Sequence, residues 1–362
     1  MYYMASKTKK FKLSARTIIS IITIILVCVV IFENHETIRQ AVIHLTDTNL
    51  FVLLLLIPEQ LFMYYCCGQV FFSFLTAKKN VKKVSQFDLM RISLELNFVN
   101  HAVPAGGFGG LAYITWRLRG FGVTAGQSSF IYALRYIITI CANQFQTIVA
   151  VIFLLAFSAI PANGMWIVWI TVLISIAVVA LIAFLIIVAS SLKRIHKMTD
   201  ITVKICDWGV KVFTLGHKTN KLKREIIEKY LVDIHEDLLT ARRNKRLLIR
   251  PILWGVVYSF LEVAIYWIVA ISRGQPGILP QILIGEAIGS ALGVLFPIGP
   301  YEVGMVGVMG ILGVEDALSI VCIARVVVLS MTIATGYGFY QSAISKIGKK
   351  EREALEKSTG GV

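Results

Sequence analysis

Long runs of apolar residues decide what this chain can become. Thr17 to Phe32 and Trp166 to Ala189 each proceed without a single charged side chain. A helix needs roughly 17–25 such residues to cross a bilayer, and inside hydrocarbon it is the form that satisfies its own backbone polar groups. The composition points the same way. Of 362 residues, 57% are hydrophobic and only 16% charged, against about 25% charged in an average soluble domain, so a water-soluble globule is excluded. Hydropathy places six spans at about 17–32, 50–76, 127–156, 165–190, 248–272 and 317–345. The sequence predicts an all-α polytopic membrane protein.

A net charge of +15 raises the possibility of nucleic-acid binding, but the positions of the cations argue against a nucleic-acid partner. They cluster between the apolar runs: with the N-terminus cytoplasmic, 32 of the 36 Lys and Arg fall on the cytoplasmic side, Arg91 and Arg117 among them. Cytoplasmic loops hold this excess. The sequence thus predicts a multi-pass plasma-membrane protein with both termini cytoplasmic. Its parts are a basic N-terminus at 1–16, a first membrane repeat at 17–160, a second at 161–345 and a tail at 346–362. The first span continues into Glu33-Asn34-His35-Glu36 without a small-residue cleavage site, so it reads as a retained anchor. The cysteines show no CxxC or Cys/His spacing and read as packing residues.

Two further apolar, glycine-rich stretches, 87–115 and 280–312, begin and end on one side of the membrane in this topology. Both are expected to be re-entrant. One breaks at His101-Ala102-Val103-Pro104-Ala105-Gly106-Gly107, the other at Phe296-Pro297-Ile298-Gly299-Pro300, where proline removes a donor and glycine loosens the helix. Such backbone is tolerated at membrane depth where protein or a water-filled cavity satisfies it.

The two breaks sit in similar surroundings. Gly122-Val123-Thr124-Ala125 leads to Arg135, and Gly313-Val314-Glu315-Asp316-Ala317 leads to Arg325; Glu59 and Glu95 precede the first break, Glu262 and Glu286 the second. The order span, span, re-entrant segment, span occurs twice. With three full crossings before the second copy, its orientation is opposite to the first. That is a 3+3 inverted-topology repeat, an architecture that puts a transport site near the midplane between discontinuous helices.

An arginine inside a bilayer costs at least about 2.5 kcal/mol, so Arg135 and Arg325 are expected to face the bundle interior. Guanidinium binds phosphate through a bidentate fork, which makes the pair candidates for a lipid phosphate; the alternative is a buried pair with Glu59, Glu262 or a backbone carbonyl. Glu59, Glu95, Glu262, Glu286 and Glu302 are the candidate charge partners or contacts for a cationic headgroup, and an unpaired one can take up a proton. Asn100 and His101 lie just before Pro104. Gly106, Gly107, Gly109 and Gly110 are followed by no Gly-Lys-Ser/Thr, which excludes a P-loop and leaves close approach of half-helices as their role. No zinc-protease motif, hydrolase elbow or other catalytic constellation is present, and no cofactor or metal is implied.

Between about 192 and 247 lies the one sizeable polar stretch. Leu222, Ile226, Tyr230, Ile234 and Leu238 recur at every fourth residue among charged neighbours, the mark of an amphipathic helix. It can rest on anionic headgroups, dock a partner enzyme, or connect the repeats.

The breaks, Asn100 through Pro104-Ala105-Gly106-Gly107-Phe108-Gly109-Gly110 with Arg117 and Gly122, and Phe296-Pro297-Ile298-Gly299-Pro300-Tyr301-Glu302 with Gly313-Val314 and Arg325, resemble the two signature regions of the flippase-like, lysylphosphatidylglycerol synthase transmembrane-region family. The resemblance runs from about residue 15 to 345. It departs from the family pattern at Pro300, where glycine is usual, and at Trp116 before Arg117, which bears on substrate more than on fold. It implies a domain that moves aminoacylated phospholipids or polyprenyl-linked glycolipids between leaflets, built from inverted repeats with re-entrant helices. Full synthases carry a soluble catalytic domain after the membrane part; here only Lys346 to Val362 follows, so synthase activity is not expected. The competing readings are an ion-coupled small-solute transporter and a non-transporting accessory of a membrane glycosyltransferase or lipid synthase.

Overall fold

The computed structural model of the protein describes residues 32, 35–78, 84–102, 108–156, 165–191, 194, 200, 224–295 and 300–346. Helix α1 covers His35–His44. Asn49 then caps a single turn, Leu50–Leu53, by accepting from the amides of Phe51 and Val52, and α2 follows at Leu56–Ala77. Next come α3 (Gln86–Ala102), α4 (Phe108–Arg119), α5 (Ala125–Ala156) and α6 (Met165–Ala189). The chain resumes with α7 (Arg224–Arg243), α8 (Arg246–Ser272), α9 (Leu279–Leu295) and α10 (Pro300–Ile311). It ends in α11 (Ala317–Met331), which a π turn at Thr332–Gly336 carries on towards Lys346. There is no strand among the described residues.

Four stretches are long and apolar enough to cross a membrane: Leu50–Ala77, Ala125–Phe153, Arg246–Ser272 and Ala317–Lys346. They coincide with the expected spans at 50–76, 127–156, 248–272 and 317–345. Shorter apolar helices occupy Val168–Phe184, within α6, and Pro276–Leu292 and Tyr301–Ile311. The expected span 17–32 lies outside the described residues apart from Phe32. Where 87–115 and 280–312 were expected to break, the chain forms helix pairs, α3 with α4 and α9 with α10, whose members pack on one another. The breaks at 103–107 and 296–299, with Pro104, Gly106, Gly107, Pro297 and Gly299, lie outside the described residues.

The two pairs match in detail. α3 and α9 are both 17 residues long, and α4 and α10 both 12. Each pair ends on a glycine at φ 85°, Gly122 and Gly313. The Gly122 amide donates to the Arg119 carbonyl and the Val123 amide to that of Leu118; the Gly313 amide donates to Gly310 and Val314 to Met309. This double bond around a left-handed residue is how many helices satisfy their last carbonyls, and glycine takes that φ without a Cβ penalty. After the first turn, Thr124 and Gln127 cap α5 reciprocally, Gln127 N to Thr124 Oγ1 at 3.2 Å and Thr124 N to Gln127 Oε1 at 3.1 Å, a capping box. The second half uses its cap residue differently. Asp316 makes no side-chain cap and instead accepts from Arg273 and Gln275 across the loop before α9.

The halves interlock. α2 lies along α8, α3 crosses the π turn of α11, and α9 lies along α5, so each helix pair leans on a long helix of the other half. Lipid tails are as apolar as leucine, so van der Waals fit and hydrogen bonds rather than the hydrophobic effect hold such contacts. The fit is close where α9 meets α10: a Cβ on Gly289 would stand 2.9 Å from the Tyr301 carbonyl oxygen. Phe71, Phe74, Ile92, Ile114 and Ile320 are completely buried in the resulting core.

α7 is the amphipathic helix expected within 192–247. Ile234 and Leu238 pack on the core; Leu222 and the side chains of Ile226 and Tyr230 lie outside the described residues. Asp233 lies against Gly126 at the start of α5 and accepts from Thr124 Oγ1 at 3.4 Å. Asp237 pairs with Lys78 at the end of α2. α7 therefore ties together the ends of two long helices on the basic end of the bundle. Burial pushes the Asp237 carboxyl above the usual carboxylate range, against the pull of Lys78.

Candidate functional site

Arg135 stands on α5 where it faces α2 and α8. Its Nη2 donates to the Tyr258 hydroxyl at 3.2 Å, and its guanidinium lies 5.4 Å from the Tyr258 ring centroid and 5.5 Å from those of Phe71 and Tyr136. Aromatic faces attract a cation but leave its forked donors free. Among the described residues no carboxylate forms an ion pair with it. A small cavity opens beside it, lined by Tyr64, Cys67, Ser93, Asn97, Arg135 and Tyr258, with room for about one water.

Two of the lining residues, Tyr64 and Asn97, form a hydrogen-bonded triangle with Thr332 of the second half. Asn97 Nδ2 donates to the Tyr64 hydroxyl at 2.8 Å and to Thr332 Oγ1 at 3.0 Å, and the two hydroxyls are 2.9 Å apart. Thr332 opens the π turn. A π turn puts an extra residue into the helix and is common at functional positions; here α3 crosses α11 so closely that a Cβ on Gly336 would meet Phe98 Cβ at 2.6 Å. His101, one turn beyond Asn97, donates from Nδ1 to the Asn97 carbonyl at 2.9 Å. Asn100 packs on Gly110, where its side chain leaves no space for a Cβ. Gly109 is partly buried in the same turn, and Pro300 opens α10.

The symmetry of the two arginines ends at their partners. Arg325 Nε binds Glu302 Oε1 at 2.8 Å. Glu302 is the third residue of α10, and the third residue of α4 is Gly110. The second half thus supplies its arginine with a carboxylate from the adjacent helix pair, and the first half has glycine in that place.

Glu95 belongs to a different cluster. It is completely buried and accepts from Arg91 Nε at 2.7 Å, Arg117 Nε at 2.9 Å and the Tyr113 hydroxyl at 2.7 Å. Arg91 also donates to the Phe339 carbonyl at 3.3 Å. Arg91 and Arg117, read in the sequence as loop cations, are therefore interior groups that clamp α3 to α4 and to the end of α11. Charge clustering alone does not distinguish a cation in a loop from one paired one turn away; the signal was the i, i+4 spacing of Arg91 and Glu95.

The remaining glutamates have only neutral partners. Glu59 Oε2 accepts from Gln60 Nε2 at 3.3 Å, while Glu59 Oε1 and Gln60 Oε1 are buried without a hydrogen-bond partner. Glu286 accepts from Ser290 Oγ at 2.5 Å. Glu262 lies one helical turn after Tyr258, which acts on it electrostatically. Tyr64, Tyr258 and Thr332 were not singled out in the sequence; a tyrosine spaced four residues from a glutamate inside an apolar span is the trace that Tyr258 leaves there.

Neither a curated protein nor a solved structure matches the chain. The family model of the lysylphosphatidylglycerol synthase TM region matches residues 17–336. With apolar spanning helices, glycine-closed helix pairs and arginines within the bundle, the chain belongs to the lysylphosphatidylglycerol synthase transmembrane-region family, membrane proteins linked to lipid handling.

Proposed function

We propose that the protein is a lipid translocase, moving a lipid with an anionic phosphate, such as an aminoacyl-phospholipid or a polyprenyl-linked glycolipid, between the leaflets of the plasma membrane. The observation that carries this reading is Arg135: a guanidinium held between the halves by rings and one hydroxyl, with no ion pair among the described residues, beside a small cavity. An intramembrane guanidinium in that state keeps forked donors to spare, and phosphate fits them. The basic end of the bundle, with α7 and both termini, faces the cytoplasm. The halves are inverted repeats with α3–α4 and α9–α10 as re-entrant pairs, a plan that supports alternating access around a midplane site. In this cycle the Arg325–Glu302 pair opens when substrate phosphate competes for the arginine.

The test is leaflet exchange in proteoliposomes, with fluorescent aminoacyl-phosphatidylglycerol and a polyprenyl-phosphate sugar assayed in parallel. Exchange of one of them by the wild type, lost in Arg135→Ala, is the expected result. Exchange of neither by folded protein, or equal exchange by the variant, overturns it.

A further inference from the structure

Where the two halves meet, three glutamates outnumber the cations that act on them among the described residues. Glu59 on α2, Glu262 on α8 and Glu286 on α9 interact electrostatically in sequence, Glu59 with Glu262 and Glu262 with Glu286. None forms an ion pair among the described residues. Glu59 and Glu286 are only 9% and 5% exposed, and one Glu59 oxygen has no hydrogen-bond partner among the described residues. Among the described residues, Arg135 is the cation without an ion pair that acts on this group, through Glu262.

The surrounding elements do not redress the balance. α2 contributes Tyr64 and Cys67, α8 Tyr258 and Tyr266, α5 Tyr136, and α10 Tyr301. Farther off, Glu302 is bound to Arg325, and on α3 Glu95 is bound to Arg91 and Arg117 while His101 faces Arg325. α6 carries no ionisable side chain.

Three ionised carboxylates against one arginine would leave a net negative charge inside the bundle, and a buried carboxylate without a counter-ion is neutralised by a proton. A metal ion is the other neutraliser, but among the described residues no three His, Cys, Asp or Glu are placed to hold one. Each acid instead has a neutral hydroxyl or amide beside it, Gln60, Tyr258 or Ser290. These are partners suited to a protonated carboxyl.

Resting on the reading of Arg135 as the phosphate ligand, we propose that Glu59, Glu262 and Glu286 form a proton-binding cluster that takes up protons from water as an anion binds at Arg135, so that phosphate-bearing lipid and proton move together. The link is Tyr258, hydrogen-bonded to Arg135 and one helical turn before Glu262, on which both it and Arg135 act electrostatically. A phosphate that engages Arg135 withdraws the counter-charge from Glu262, whose carboxylate then accepts a proton to become the neutral acid. The coupling is reciprocal: protonation of the cluster tightens anion binding.

The experiment titrates the purified full-length protein in detergent with short-chain phosphatidylglycerol, a phosphodiester that does not itself titrate near neutral pH, by calorimetry in two buffers of different ionisation enthalpy. Wild type is expected to take up protons on binding, its affinity falling by up to about tenfold per pH unit as pH rises, the limit for one linked proton. Glu262→Gln abolishes the uptake and flattens the pH dependence, and Arg135→Gln abolishes binding. Binding without proton uptake overturns the coupling and leaves translocation standing; no binding by folded wild type overturns both. Infrared spectroscopy of the ligand-free protein at neutral pH is the second measurement. The carbonyl stretch of a protonated carboxylic acid is expected in wild type and loses intensity in Glu59→Gln or Glu286→Gln. Its absence from wild type overturns the proposal whatever Glu262→Gln does.

Discussion

Two buried charge arrangements set opposite mutational signatures. Among the described residues Glu95 is the carboxylate that pairs with both Arg91 and Arg117, and it also accepts from Tyr113, so Glu95→Gln leaves two arginines without a counter-charge. Breaking a buried pair in this way costs about 3–5 kcal/mol, and the variant is expected to lose its monodisperse peak in detergent or to unfold at markedly lower temperature. Arg135→Gln breaks no ion pair, and its loss of stability is expected to stay within about 1–2 kcal/mol, the value of a charged hydrogen bond and some cation–π contact. Leaflet exchange, by contrast, is expected to fall at least to background. Thermal unfolding and exchange measured on the same preparations separate the two roles: a large stability loss in Arg135→Gln marks it as a structural residue.

At the level of elements, the glycine-closed helix ends and the docked α7 carry separate predictions. An added Cβ at Gly122 or Gly313 meets nothing within 4 Å, so Gly→Ala there costs only the left-handed backbone, about 1 kcal/mol. The sites are far apart in the chain and, among the described residues, share no neighbour within 4 Å of either added Cβ, so the double variant is expected to lose the sum, read as additive shifts of the unfolding midpoint. α7 predicts a pH effect. Because burial raises the Asp237 carboxyl, its protonation favours the docked state: docking strengthens as pH falls toward the ordinary carboxylate range and weakens as pH rises past the elevated value. Protease cleavage at Arg242 and Arg243 is expected to slow on mild acidification in wild type and to lose that dependence in Asp237→Asn. α7 was legible in the sequence from its fourfold spacing, and 87–115 and 280–312 as helices broken at their centres, while Gly122-Val123 and Gly313-Val314 stood out as matching marks of the two halves without being read as helix-closing turns. What the sequence did not reveal was which elements these helices pack against, α3 on α2 and the π turn and α9 on α5, because that depends on side-chain fit between distant segments.

At the scale of the whole molecule, composition and charge patterning suffice to predict an all-helical membrane protein with paired breaks, because bilayer thickness and backbone satisfaction admit few alternatives. They do not reveal which half each helix pair leans on, since that depends on side-chain fit between segments more than a hundred residues apart, such as Tyr64 with Thr332 and Asn143 with Ser259. The interlock has a consequence for folding. α3 and α9 each pack on a long helix of the opposite half, and the Arg135–Tyr258 contact also joins the halves, so neither half alone buries the polar groups that its partner satisfies. Coexpressed fragments 1–200 and 201–362 are therefore expected to copurify through a tag on either one and to recover lipid exchange, while each alone is degraded or aggregates. Adding Glu95→Gln to the first fragment is expected to lower recovery of the complex, because Arg91 then reaches the Phe339 carbonyl of the second fragment without its charge partner. Independent folding of either fragment to a stable monomer would contradict the interlocked packing.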